Sequence, residues 1–144
     1  MRHRPPVFCA PMTAPVQQAG RQELVVAAEP ASVREARGWL SELASRHVGG
    51  PRLPDLALVM TEVVTNAVRH GGQSGSLLLA ATPKEEFLCV QVTDEGAGLV
   101  PRPGAMTSDE NGGFGLFIVE QLTRRWGMTR ENVRTRVWFE FDYG

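Results

Sequence analysis

Three short segments hold the residues best suited to chemistry. They are Glu62-Val63-Val64-Thr65-Asn66-Ala67, Asp94-Glu95-Gly96-Ala97-Gly98 and Gly112-Gly113-Phe114-Gly115-Leu116. In the first, an acid and an amide stand one helical turn apart, so their side chains share a face. Asparagine offers a neutral oxygen of the kind Mg²⁺ accepts, and that ion keeps several waters and shares phosphate oxygens. Glu62 is placed to orient or deprotonate a hydroxyl or water beside it. In the second segment Asp94 ends an apolar strand. An ionised carboxylate only accepts hydrogen bonds, which suits an exocyclic amino group such as that of adenine. Gly96 and Gly98 let the backbone turn and a flat base come close. In the third, Gly112, Gly113 and Gly115 lie where a loop opens a helix, and free N–H groups there bind phosphate. The pattern is neither a P-loop, since no Gly-Lys-Ser/Thr follows, nor a Rossmann fingerprint. Each segment alone has a plainer reading: a surface Glu and Asn, an acidic turn, a loop-to-helix junction. Their order gives them one joint use, the holding of a nucleotide and its metal.

The elements that must position these residues follow from periodicity. Residues 1–22 read as a disordered Pro-rich tail without apolar repeat, and 23–144 as one domain. Leu24, Val25 and Val26 mark a short strand over Glu23 to Ala28. Ser32-x-x-Glu35 has the form of a capping box, and Val33, Ala36, Leu40, Leu43 and Ala44 make the stripe of the helix behind it. That helix stops at Gly49-Gly50-Pro51. Pro54 suits the first turn of the next helix, whose stripe is Leu56, Val59, Met60, Val63, Val64, Ala67 and Val68. At 100° per residue, Asp55, Glu62, Asn66 and His70 fall along one edge of that stripe. A helix edge of this kind lines a cleft. His70 closes the helix and either approaches the nucleotide or faces the C-terminal dipole.

Ser76 to Thr82 and Phe87 to Thr93 form a hairpin, with Leu88, Val90 and Val92 on one face. Leu99 to Asn111 is an aperiodic, solvent-exposed loop. Phe114 to Trp126 reads as a helix with Phe114, Phe117, Ile118 and Leu122 inward and Gly127 closing it. Two strands end the chain, near Met128 to Glu131 and Thr135 to Phe141. The order β-α-α-β-β-α-β-β gives an α+β fold, a mixed, mostly antiparallel sheet with helices on one face.

Composition narrows the function. A chain of 144 residues has room for one core. Its net charge of −1 supplies no basic field for nucleic acid or a membrane surface. No apolar run reaches the ~18 residues of a membrane span, and Pro5, Pro6, Pro11 and Pro15 break up any secretory signal. The default compartment is the cytoplasm. Arg124, Arg125 and Arg130 read as a solvated helix end more than a partner contact. Cys89 reads as a small buried hydrophobe and Cys9 as a tail residue, and together they suggest neither a disulfide framework nor a zinc site.

The three segments, in this order, resemble the N, G1 and G2 boxes of the GHKL ATPase superfamily. Within it, Glu62-x-x-Thr65-Asn66-Ala67-x-x-His70-Gly71 is most similar to bacterial anti-sigma factor serine kinases and to stand-alone ATP-binding regulators of actinobacterial type. Arg125-Trp126-Gly127 and Val137-Trp138-Phe139-Glu140 resemble those regulators too. The resemblance spans Glu23 to Asp142. It implies the two-layer α/β sandwich called the Bergerat, or histidine-kinase-like ATPase, fold. It further implies ATP and Mg²⁺ as ligands, with Asn66 on the metal, Glu62 as general base towards a substrate serine and Asp94 on the adenine amino group. Gly96 and Gly98 would shape the base pocket. Leu99 to Asn111 would form a lid over the phosphates that Gly113 and Gly115 let close, and Gly112, Gly113, Gly115, Leu116 and His70 would be nucleotide-binding. Implied partners are a sigma factor and an anti-anti-sigma protein, with a homodimer common among relatives. The alternative is a nucleotide-dependent binding switch without catalysis. A sensor histidine kinase would need a helical phosphoacceptor segment ahead of Glu23, and the residues there are few and Pro-rich. Many relatives carry Gly-Lys-Thr before the final Val-Trp, where this chain has Arg134-Thr135-Arg136.

Overall fold

The computed structural model describes residues 20–70, 75–94, 113–131 and 134–144. Five strands and three helices run in the order β1 (Gln22–Ala27), α1 (Ser32–Ala44), α2 (Leu53–His70), β2 (Ser76–Pro83), β3 (Phe87–Asp94), α3 (Gly113–Leu122), β4 (Arg125–Glu131) and β5 (Arg134–Asp142). A single turn of 3-10 helix, Gly50–Arg52, leads into α2. The sheet order is β1-β2-β3-β5-β4, and all four ladders are antiparallel. The fold is α+β, as the element order implies.

Strand alternation divides the sheet into two faces. Leu77, Leu79, Ala81, Leu88, Val90, Val92, Val137, Phe139 and Phe141 face the helix layer and join one core with Leu40, Leu56, Val59, Met60, Val63, Val64 and Val119. In that layer α2 is central, packing on both α1 and α3 and over β3. Its apolar stripe is the one the 3.6-residue period marks, and Leu56, Val59, Met60 and Val64 are fully buried. Each such side chain contributes about 1.5–3 kcal/mol of transfer free energy, which fixes the rotation of α2 and hence the edge that carries Glu62 and Asn66.

Four local expectations are corrected. Ser32 is not a capping residue: the N-cap is Ala31, already helical, with no side-chain bond. The first amides find backbone acceptors instead, Ser32 N–H to Glu29 O at 3.0 Å and Val33 N–H to Pro30 O at 3.1 Å. Helix α3 ends at Leu122, not Trp126, because Thr123 closes on Val119 O and Arg124 N–H already bonds Glu140 O at 2.9 Å. Trp126 and Gly127 thus lie in β4, and Gly127 makes room for Trp138: a Cβ there would stand 2.7 Å from Cε2 and 2.8 Å from Nε1 of the indole. The inward stripe of α3 is turned so that Val119 is buried while Phe117 is 62% exposed. Arg124 and Arg125 are not a solvated helix end, since they pair with Asp142 at 3.3 Å and Glu140 at 3.8 Å, and Arg124 also lies over the Phe87 ring.

Cys89 is also corrected in part. It is buried as expected, in a small second cluster with Phe87 and Trp138 on the sheet face away from the helices. It is not a free thiol but disulfide-bonded. Cys9, the other cysteine of the sequence, lies outside the described residues. Among the described residues no helix is long and apolar enough to cross a membrane.

Candidate functional site

The site is assembled from α2 and the adjoining ends of β3 and β5. Helix α2 presents Glu62 half-buried and Asn66 buried, one turn apart on the edge of the core stripe. Asn66 is 5% exposed, and its Nδ2 has no hydrogen-bond partner. A buried amide without a partner costs about 1–3 kcal/mol. The two heavy atoms of a carboxamide exchange by a flip, so Asn66 can present either donor or acceptor to whatever arrives.

Asp94 is the last residue of β3 and is 4% exposed. It shares the helix-facing side with Val90 and Val92 by strand alternation. Its neighbour on β2 is Leu77. On the other side the β3–β5 register pairs Thr93 with Arg136, so the next step sets Thr135 opposite Asp94. Thr135 is 8% exposed and its hydroxyl is also without a partner. Sequence reading assigned Thr135 no role. Its signal is non-local: it appears only when β5 is known to pair with β3 and not merely with β4. Asn66 from the helix layer and Asp94 with Thr135 from the sheet thus line the same interlayer region, where α2 packs over β3.

The backbone of His70 closes α2. Gly113 is the first residue of α3, and Gly115 and Leu116 lie in its first turn, with Leu116 half-buried against the core. Helix α3 packs against α2. Gly96, Gly98, Gly112 and the stretch Leu99 to Asn111 lie outside the described residues. Among the described residues no three His, Cys, Asp or Glu side chains gather into a metal-binding group. The donors present instead suit an ion held by one protein oxygen together with phosphates and water, the habit of Mg²⁺.

The fold matches known proteins. The family described as "Histidine kinase-like ATPase domain" matches residues 26–141. No curated protein sequence matches significantly. Among solved structures, the RsbU and RsbW domains of Rv1364c from Mycobacterium tuberculosis align with a TM-score of 0.65 at 18% identity, over 85% of this chain and 32% of that one. The histidine kinase domain of the Erythrobacter litoralis EL346 blue-light activated histidine kinase gives 0.55 at 20% identity, over 79% and 60%. The Acinetobacter baumannii histidine kinase AdeS gives 0.51 at 13% identity, over 85% and 68%. The chain thus spans about a third of the first of these structures, and identities this low speak to the fold alone. The family match covers most of the chain and contains Glu62, Asn66, Asp94 and Thr135: the chain belongs to the histidine kinase-like ATPase domain family.

Proposed function

We propose that the chain binds ATP with Mg²⁺ and acts as an anti-sigma factor serine/threonine kinase in the cytoplasm. It would pass the γ-phosphate to an anti-anti-sigma protein and hold a sigma factor when that protein is phosphorylated. One observation carries the reading: Asn66 is buried with an unsatisfied amide one turn from Glu62, in the layer above Asp94 and Thr135. Asn66 would offer its carbonyl oxygen to the metal, which when bound neutralises phosphate charge. Asp94 would accept a hydrogen bond from the adenine amino group, and the Thr135 hydroxyl would satisfy the base or a water beside it. Glu62, half-buried and thus within reach of a second protein, would take the proton from a serine hydroxyl. The serine oxygen then bonds to the γ-phosphorus as the bond to ADP breaks. Positioning and charge neutralisation dominate such transfers. Added phosphate on the partner would disrupt its interface by charge and desolvation, which makes transfer a switch.

The test has two stages. Calorimetry with Mg-ATP and Mg-ADP should show saturable binding; no uptake of either rejects the reading. Proteins that co-purify from the native cell are then incubated with the chain and labelled Mg-ATP. Phosphoserine or phosphothreonine on a small partner supports the kinase. Nucleotide binding with no transfer leaves the non-catalytic switch.

A further inference from the structure

One row of side chains crosses the sheet beneath the helix layer, at the end where β3 stops. Leu77 pairs with Asp94. Thr135 stands opposite Asp94, one step on from the Thr93–Arg136 pair, and Arg130 pairs with Thr135. Alternation puts all of them on the same side. On β4, Trp126 and Met128 pack into the helix-facing core, and Arg130 is the next residue of that series. Cover thins along it: Trp126 is buried, Met128 half-buried and Arg130 exposed. The row therefore runs from buried Asp94 and Thr135 to an open rim, and an arginine stands at that rim.

This arginine is uncommitted. Arg136 Nε donates to Thr93 Oγ1 at 3.2 Å, Arg125 pairs with Glu140 and Arg124 with Asp142. Arg69 and Arg134 are likewise engaged. Arg130 makes no hydrogen bond or ion pair with any described residue. A guanidinium left to water costs nothing, so this freedom alone assigns no role. Its position does.

Two neighbours point to an anion. The first is α3. The short link Thr123–Arg124 turns the chain back, and α3 and β4 pack on each other, so the two run antiparallel. Leu122 lies where β4 begins, and Gly113 lies at the Arg130 end. Ten residues of helix cover roughly 15 Å, and the strand from Arg125 to Arg130 covers roughly 17 Å, so the lengths agree. The N-terminal amides of α3 favour negative charge. The second neighbour is Thr135. It is 8% exposed, its hydroxyl has no partner, and it stands between Asp94 and Arg130.

Charge gives the row a direction, with an accepting carboxylate inside and a donating cation outside. Asp94 to Arg130 is two strand spacings, about 10 Å, comparable with a nucleoside and its first phosphate. Glu62 and Asp94 bring only negative charge. The sole lysine, Lys84, sits in the β2–β3 turn at the other end of the sheet. A magnesium nucleotide keeps net negative charge, and neutralising it is much of the work of phosphoryl transfer.

We propose, on the nucleotide reading of the site, that Arg130 is a nucleotide-contacting residue. Its guanidinium binds the phosphate end of an adenine nucleotide whose base lies against Asp94 and Thr135.

Calorimetry compares the full-length wild type, Arg130→Ala and Arg130→Lys with Mg-ADP. The thermal shift at saturating adenosine reads the base alone. Arg130→Ala should weaken Mg-ADP about tenfold, the worth of one charge-assisted hydrogen bond, and Arg130→Lys should recover most of that loss. The adenosine shift should be the same in all three. The loss should shrink at high salt, as an exposed charge requires. Equal affinity of wild type and Arg130→Ala for Mg-ADP overturns the assignment and leaves the nucleotide reading standing. An equal loss for adenosine and Mg-ADP overturns it too, because Arg130 would then act through the base or the fold. Variants that do not fold also overturn it, since an exposed side chain without a partner has no structural duty. Wild type that takes up no nucleotide rejects the nucleotide reading, and the role of Arg130 with it.

Discussion

Replacing Asn66 by alanine separates a binding group from a structural one. If the amide exists to meet a ligand, the ligand-free protein carries an unsatisfied buried polar atom worth about 1–3 kcal/mol of destabilisation. Truncation removes that cost. It also leaves a void, and at ~24 cal/mol per Å³ a void of roughly 30 Å³ costs about 0.7 kcal/mol. The sum is a ligand-free variant between equal to wild type and about 2 kcal/mol more stable. At this chain length 1 kcal/mol is worth about 3–4 °C, so Tm should stay level or rise by up to about 7 °C. The ligand response moves the opposite way. At a nucleotide concentration of 100 times Kd, binding adds about 2.7 kcal/mol to the wild type, or roughly 8–10 °C, and should add almost nothing to Asn66→Ala. Thermal unfolding with and without Mg-ADP measures both. A ligand-free variant that melts more than about 4 °C below wild type would show that Asn66 serves the fold. A full ligand-induced shift in the variant would show that it does not serve the ligand. Either result refutes the assignment.

Glu62→Gln should keep nucleotide affinity within a few-fold and lower phosphoryl transfer by about 10²–10⁴, read by single-turnover labelling; transfer at the wild-type rate removes Glu62 as base. Gly127→Ala should destabilise by about 1–3 kcal/mol because its Cβ intrudes on the Trp138 ring. Combining it with Trp138→Leu should cost less than the sum of the single changes in denaturant titration, and strict additivity would mean the two do not touch. Glu140 has a pKa raised above 4.5, first by burial and then by Asp142, against the lowering by Arg125 and Arg124. A raised acid pKa favours the protonated folded state, so its contribution is full below 4.5 and is lost as pH rises through the folded value. Glu140→Gln should therefore remove the fall in stability across that window, and an unchanged profile of unfolding free energy against pH would contradict it.

Local pattern was enough for α2 and for the helix-facing side of β3. The 3.6-residue stripe of α2 fixes its rotation and thereby sets Glu62 and Asn66 together, and the alternation of Leu88, Val90 and Val92 predicts the side on which Asp94 lies. What local pattern missed is non-local. Thr135 meets Asp94 only because β5 inserts between β3 and β4, a choice no window of sequence records. Trp126 passes for a helical residue until its partner is known: β4 must start early to lay Gly127 under Trp138. Ser32 has the chemistry of a cap, but the turn at Glu29 and Pro30 meets the amides first. Phe117 faces outward because Val119, two residues on and about 200° round the helix, takes the buried position. Cys89 reads as a core residue from its neighbours, and its being disulfide-bonded leaves no trace in them.

The buried polar atoms without partners among the described residues tie these findings together. They are Asn66 Nδ2, Thr135 Oγ1, Trp138 Nε1 and Glu140 Oε2. Native interiors leave few such atoms, so each needs an account. They divide by sheet face. Asn66 and Thr135 border the interlayer region that Asp94 closes, at the end of the sheet from which 95–112 departs; Trp138 and Glu140 lie on the reverse side, beside Cys89. A random packing defect would not sort in this way. Two orphans facing the helix layer call for a ligand that both donates and accepts hydrogen bonds, as an adenine nucleotide with its waters does. The two on the reverse face are an indole N–H, which needs an acceptor, and a carboxylate oxygen, which needs a donor. Strand β5 alone carries three of the four unsatisfied atoms, with Thr135 on its helix-facing side and Trp138 and Glu140 on the reverse.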